Sequence, residues 1–418
     1  MRHRLGITRF LIACASAVAG LIGPAAAAAP PAPDRPLKVF ILAGQSNMQG
    51  HARVRTIPAM ALDPDTEAIR RVMCEADGTP RVLERVWISE LGSGDGERTG
   101  RLSTGFGPGR ERETFGPEFT FGLFLEAALD EPILIIKTAW GGRSLHTDFR
   151  PPSAGPFPWS EAELQRLADR GEDLERVRAE KQEATGRAYR EMIDHVRSVL
   201  GRIDGIVPGY DADRGFELAG FVWFQGWNDM VDSGVYPERG RPGGYHAYSD
   251  LLTRFIHDVR ADLEAPALRF VIGVMGVGGP LETYGPDRRR EAAIHRSFRE
   301  AMAEPADRPI FGGTVTAVPT APFWDTEFAT LRERREQLQR QDEADRAAVA
   351  AGEADAAEVE ARIAERRRQA FTERERQLLE ESTSNGDYHY LGSARIMAPI
   401  GKAFAEAMAE LLQRSRVE

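Results

Sequence analysis

Residues 37–50 read Leu-Lys-Val-Phe-Ile-Leu-Ala-Gly-Gln-Ser-Asn-Met-Gln-Gly. The first six are apolar apart from Lys38, the composition of a strand buried on both faces of a parallel sheet rather than of a half-exposed one. Apolar runs of the same kind recur at 133–136, 220–224, 270–275 and 309–315. Between them, 119–129, 189–200 and 251–263 carry apolar residues at helical spacing, the last with Leu251, Leu252, Phe255, Ile256, Val259 and Leu263 on one face. This alternation predicts a three-layer α/β/α sandwich around a mostly parallel five-stranded sheet. Ligands in such folds sit at the carboxyl ends of the strands, and the suggestive short motifs of this chain all fall there.

The 418 residues are 42% hydrophobic and 28% charged, an ordinary globular composition that can bury a substantial core. A net charge of −10 argues against nucleic acid, whose binders need a basic face. Residues 1–29 read as a secretory signal: Arg2, His3, Arg4 and Arg9, then an apolar run 10–22, then Pro24 and alanines 25–29. The run is too short for stable membrane insertion, so an exported, periplasmic or secreted protein is expected, with lipoprotein processing at Cys14 as the alternative. A proline-rich linker (30–36), the domain itself (37–412) and a tail (413–418) follow. Once Cys14 leaves with the signal, Cys74 is the one thiol and no internal disulfide is possible. Two stretches read as additions. Residues 161–183 are highly charged, and 326–381 are dominated by Arg, Glu, Gln and Ala with Gly352 near the middle. The second pattern predicts a charged helical insertion, a hairpin that either mediates self-association or packs on its own domain.

Ser46 stands just past the end of the first buried strand, beside Gly44. There a serine can expose its hydroxyl at the sheet edge, and its N–H can face an oxyanion if it opens a helix; the plainer alternative is an N-cap. Met48 occupies the place of the second glycine of a Gly-x-Ser-x-Gly elbow, so that motif is absent. A nucleophilic serine needs a base, and the base an orienting group. Among the histidines, His195 and His257 fall within helical patterns and His295 in a charged, exposed segment. His389 follows the turn-forming run Ser384-Asn385-Gly386-Asp387-Tyr388 and precedes a terminal helix over 394–412. Two further strand ends offer hydrogen-bond donors: Ala139-Trp140-Gly141-Gly142 through its backbone, and Gln225-Gly226-Trp227-Asn228-Asp229 through its amide side chains. No residues have metal-ligand spacing and no glycine-rich fingerprint supports a nucleotide, so neither metal nor cofactor is expected.

The Gly-Gln-Ser-Asn-Met string after a first strand, the Gly-Gly block, the Gln-Gly-x-Asn-Asp block and the late histidine resemble the SGNH hydrolase superfamily. Within it the chain is similar to sialate O-acetylesterase-type domains and to the acetylxylan esterases of carbohydrate esterase family six. The resemblance spans about 37–412, without the charged insertions. It implies an SGNH, flavodoxin-like fold and a serine esterase acting on an acetylated carbohydrate. Ser46 would be nucleophile and His389 base, with Asp387 as the supporting acid. The oxyanion donors would be the N–H groups of Ser46 and Gly142 with Asn228 or Gln225, and Gln45 and Asn47 would brace the loop or touch substrate. The family places its acid three residues before the histidine, where this chain has Gly386; Asp387 stands two before, and Asp325 is the alternative orienter. Trp140, Arg143, His146, Asp148, Arg150, Trp159 and Trp227 near this edge suit a sugar pocket, with Trp140 and Arg143 the first candidates for substrate contact. The rival readings are a broad short-acyl carboxylesterase and a catalytically impaired carbohydrate-binding or scaffold protein.

Overall fold

The computed structural model describes residues 35–94, 96–109 and 113–414; the expected signal with Cys14, most of the linker and the end of the tail lie outside them. The central sheet has seven strands: β1 (Leu37–Gly44), β2 (Val86–Leu91), β3 (Glu97–Arg101), β4 (Ile133–Ala139), β5 (Phe216–Phe224), β6 (Arg269–Val274) and β7 (Val315–Pro319). Their order is β3-β2-β4-β1-β5-β6-β7, all parallel except β3, which returns antiparallel to β2. The expectation of a mostly parallel sheet holds, and that of five strands does not. Of the two unforeseen strands, β2 breaks its apolar run at Ser89 and Glu90 and β3 is polar throughout. In β2, Ser89 and Glu90 are buried because they have partners, His195 and Glu97 for the one and Arg98 for the other. In β3, Glu-Arg-Thr-Gly-Arg is a partly exposed edge. The run at 309–315 is also corrected. Pro309–Phe311 forms a 3-10 turn, Gly312 and Gly313 follow at φ +53° and +76°, and extension begins only at Val315.

β1 lies mid-sheet, with β4 on one side and β5 on the other. The chain thus reverses its winding direction around β1, which opens a crevice beyond that strand's carboxyl end. Gly44 ends β1 level with Ala139 of β4 and Phe224 of β5. A Cβ at Gly44 would stand 2.1 Å from the Phe224 carbonyl oxygen, so only glycine fits where the chain turns into Ser46.

Period-two alternation sends the side chains of β5 into two layers. Phe221 and Trp223 meet Phe255 of the helix His246–Asp262, while Phe224 meets Phe404 of the helix Ala394–Arg414. The terminal helix packs closely on Glu118–Leu129, where a Cβ at Gly401 would lie 2.2 Å from the Pro117 carbonyl and Thr120 donates to the Ala398 carbonyl at 2.8 Å. Among the described residues no helix is long and apolar enough to cross a membrane. Cys74 is free and buried beyond the helix Pro64–Met73.

Helices Thr326–Ala350 and Ala356–Ala370 form a hairpin turned at Gly352 (φ +74°), and Glu373–Glu381 leads back. Arg366 and Arg367 both bind the buried Asp342 across the hairpin, and Phe328, Leu331, Val359 and Ile363 are buried. The insertion docks on its own domain: Arg374 donates to the Leu62 carbonyl at 2.8 Å, and Arg332 reaches Asp387 in the His389 loop.

Candidate active site

Ser46 opens the short helix Ser46–Gln49 beyond β1, with Gln45 at the N-cap position, so Ser46 is the first helical residue and not the cap. It is 6% exposed, and neither its hydroxyl nor its N–H has a hydrogen-bond partner among the described residues. The far end of the turn is fixed from below. Lys137 of β4, fully buried, donates to the Gln49 and Phe106 carbonyls at 2.8 and 2.9 Å and to Glu118 at 2.8 Å. A buried cation is tolerable when every donor is satisfied and a carboxylate balances it. The turn after β4 comes up beside the serine: a Cβ at Gly141 would lie 3.9 Å from Ser46 Cβ. Gly142 follows at φ +75°, exposed, its N–H without a partner among the described residues.

The third strand end is tied to the first by amides whose orientation the backbone dictates. Gln45 Oε1 accepts from the N–H groups of Gly226 (2.9 Å) and Asn228 (3.4 Å), so Nε2 is the end that donates to Asn228 Oδ1 at 3.0 Å. The carbonyl of Asn228 is thereby consumed and its Nδ2 is left free, with no partner among the described residues. Gln225 differs. Its Nε2 is occupied by Asp229 Oδ2 at 2.6 Å and the Arg143 carbonyl at 3.1 Å, and its Oε1 accepts from Tyr248 at 3.2 Å. As a committed internal strut it has no donor for a ligand; between the two amides, Asn228 has one.

Asp229, fully buried, organises the whole region. It accepts from Leu145 N–H (2.7 Å), His146 N–H (3.1 Å), Gln225 Nε2 (2.6 Å) and Tyr236 OH (3.1 Å), locking the loop that carries Gly142 onto the segment that carries Asn228. In the sequence, the signal for this role of Asp229 is its place at helical spacing from Gln225 within the Gln225-Gly226-Trp227-Asn228-Asp229 motif.

His389 lies on a strained loop. Tyr390 (φ 50°), Leu391 (φ 60°) and Gly392 (φ 56°) are consecutive left-handed residues, a conformation that costs about 1–2 kcal/mol for each side chain with a Cβ. Anchors hold it. Tyr390, buried, accepts from Gly276 N–H at 2.7 Å through its hydroxyl and bonds Thr320 at 2.7 Å. The Leu391 carbonyl accepts from Ser384 and Asn385 N–H at 2.8 and 3.0 Å. Because Gly276 and Thr320 follow β6 and β7, the loop is pinned to the same sheet edge as Ser46, and the Ser46–Gln49 turn packs against it. The His389 ring stacks on His51, centroids 3.8 Å apart and planes within 5°. Its Nδ1 lies 3.1 Å from Asn385 Oδ1. Burial pulls His389 down to about 4, and burial, then His389 and Lys137, pulls His51 down to about 3, so both rings are neutral near pH 7.

The expected acid does not touch this ring. Asp387 is bound on both oxygens by Arg332, at 3.0 Å through Oδ2, because the insertion brings a guanidinium to the outer side of the loop. Asp325 caps the helix Thr326–Ala350 at Phe328 N–H (2.9 Å) and pairs with Arg395 (2.7 Å). The proposed substrate residues also separate. Trp140 is 8% exposed and packs on Phe149 instead of offering a face to ligand. Arg143 pairs with Asp148 at 2.9 Å and remains partly exposed. Gln45 is a buried brace, and Asn47 is buried with an Oδ1 that has no partner among the described residues. His146 and Arg150 line a cavity of about 460 Å³ with Phe157 and Arg254, a lining that does not include Ser46, and Trp159 packs on Phe157. The rings of Trp227 and Tyr388 lie 6.1 Å apart, with Tyr388 46% exposed and its ring 4.4 Å from that of His389. His295, expected to be exposed, is buried against Tyr284.

A family model described as "Carbohydrate esterase, sialic acid-specific acetylesterase" matches residues 36–300. Among solved structures, the chain is similar to a protein from Arabidopsis thaliana, with 17% identity and a TM-score of 0.33 over 68% of this chain and 86% of that one. It is also similar to a carbohydrate acetylesterase from Xanthomonas citri, with 16% identity and a TM-score of 0.36 over 67% of this chain and 49% of the other. A search of the curated proteins finds no match.

Proposed function

The chain belongs to the carbohydrate esterase family of sialic acid-specific acetylesterases, and from that premise we propose that Ser46 and His389 remove O-acetyl groups from a carbohydrate through an acyl-enzyme. His389 Nε2 takes the Ser46 proton as Oγ attacks the acetyl carbonyl carbon. The tetrahedral oxyanion receives the N–H groups of Ser46 and Gly142 and the Nδ2 of Asn228. The sugar hydroxyl leaves with the proton from His389, and water, deprotonated by the same ring, cleaves acetyl-Ser46 to acetate. The observation that carries this reading is that three hydrogen-bond donors and a serine hydroxyl, all without partners among the described residues, stand on three adjacent strand ends. Asn228→Ala is therefore expected to lower kcat roughly 10²–10³-fold with little change in KM; measured on an aryl acetate, an unchanged kcat would remove Asn228 from the site.

The preference for a carbohydrate rests on Trp227 and Tyr388, neighbouring aromatic rings of which Tyr388 also lies against His389. Acetate release from an acetylated oligosaccharide and from an aryl acetate tests it. Trp227→Ala should raise KM for the oligosaccharide about tenfold, the loss of one stacking contact, while the aryl ester changes less. Equal loss on both substrates would favour the broad short-acyl esterase.

A further inference from the structure

The surroundings of His389 bear on how its base is held, an inference that rests on the Ser46–His389 reading above. Asn385 Oδ1 accepts from Gly386 N–H at 2.7 Å. A backbone N–H can only donate, so this contact identifies the oxygen end of the amide. The same oxygen lies 3.1 Å from His389 Nδ1, which must then carry the proton, and Nε2 keeps the lone pair. The other end of the amide, Nδ2, lies 3.4 Å from His51 Nδ1, which is thereby the acceptor. One side chain thus dictates the tautomers of both stacked rings.

We propose that Asn385 and His51 are the positioning residues of the base: Asn385 sets the tautomer and direction of His389, and His51 holds its ring plane against the Ser46 loop. The base then works with neutral partners, while the nearest carboxylate in sequence, Asp387, is turned away by Arg332 of the insertion. Face-to-face stacking at 3.8 Å is compatible with two neutral imidazoles and unfavourable for two cations. The charged groups around the pair agree with this. Lys137 acts against a positive charge on His51, Arg332 neutralises Asp387, Arg395 of the terminal helix is turned to Asp325, and Arg53 after His51 is exposed.

The test is the rate at which a serine-directed phosphonate labels Ser46 in the full-length protein, followed against pH, because it reads the base without depending on which sugar is the substrate. The wild type should label with an acid limb below the ordinary histidine range. Asn385→Asp keeps the bond to Gly386 but puts a carboxylate on Nδ1, and should move that limb up by about 1–3 pH units. Asn385→Ala should slow labelling about 10–100-fold at pH 7, the loss of one hydrogen bond to a group that becomes charged. His51→Ala should slow it as well, and His51→Phe, which restores a flat ring, should recover most of the rate. An Asn385→Asp protein that labels with the wild-type acid limb overturns the proposal. So does a limb that moves in Asp387→Asn and stays in Asn385→Asp, which would return the role to Asp387. Absence of labelling in the wild type would instead overturn the serine reading itself.

Discussion

Ser46→Ala is expected to abolish acetate release, with kcat lower by about 10⁴-fold or more, while the thermal midpoint stays near that of the wild type. The two halves of this result come from different observations. Activity falls because the proposed acyl-enzyme forms on the Ser46 hydroxyl, and without it water alone must attack with whatever help the oxyanion donors give. Stability holds because the Ser46 hydroxyl makes no hydrogen bond among the described residues, so its removal strands no buried partner. A calorimetric scan and an acetate-release assay on the same preparation decide it. Undiminished turnover would end the serine mechanism, and a large fall in midpoint would show a structural use for the hydroxyl.

Asp229→Ala should have the largest effect on the fold of any single change near the site. Four groups donate to this carboxylate: two backbone N–H groups of the 145–146 loop, Gln225 and Tyr236. Truncation leaves them buried without an acceptor, and a cost of about 3–5 kcal/mol follows from breaking one side of a buried charged network. The loop carrying Gly142 and the segment carrying Asn228 lose their common anchor, so kcat should fall together with the urea midpoint. Asp229→Asn separates size from chemistry. It keeps the volume but turns an amide NH₂ toward donors, and it too should lower the midpoint. A wild-type midpoint in both variants would mean that the loop is held by its other contacts.

The layers of the fold and three of its strand ends could be read from residue order because apolar runs and helical spacing are local patterns. β1, β4 and β5 announce themselves in this way, and so do the motifs behind them. β2 and β3 do not, because Ser89, Glu90 and the charged edge Glu97–Arg101 are stabilised by partners distant in sequence, His195 and Arg202 among them. The same limit explains the acid. Asp387 stands near His389 in the chain, but its partner is chosen by Arg332, which lies 55 positions away. Trp140 read as a sugar-facing indole for the same reason: nothing local shows that Phe149 covers it.

Residue order is enough to read a mostly parallel α/β sheet, a serine beyond its first strand, donors beyond two others and a histidine ahead of the last helix. Each of these follows from short-range periodicity or from position relative to a strand end. Which polar groups among the described residues keep a free donor, and which are spent on one another, follows from the folded arrangement. Gln45 takes the carbonyl of Asn228 and leaves Nδ2 with no partner among the described residues, Gln225 is spent on Asp229, and His389 meets Asn385 and His51 where a carboxylate was expected. A hydrogen bond or an ion pair is settled by distance in space, and the chain crosses the sheet several times before those partners meet.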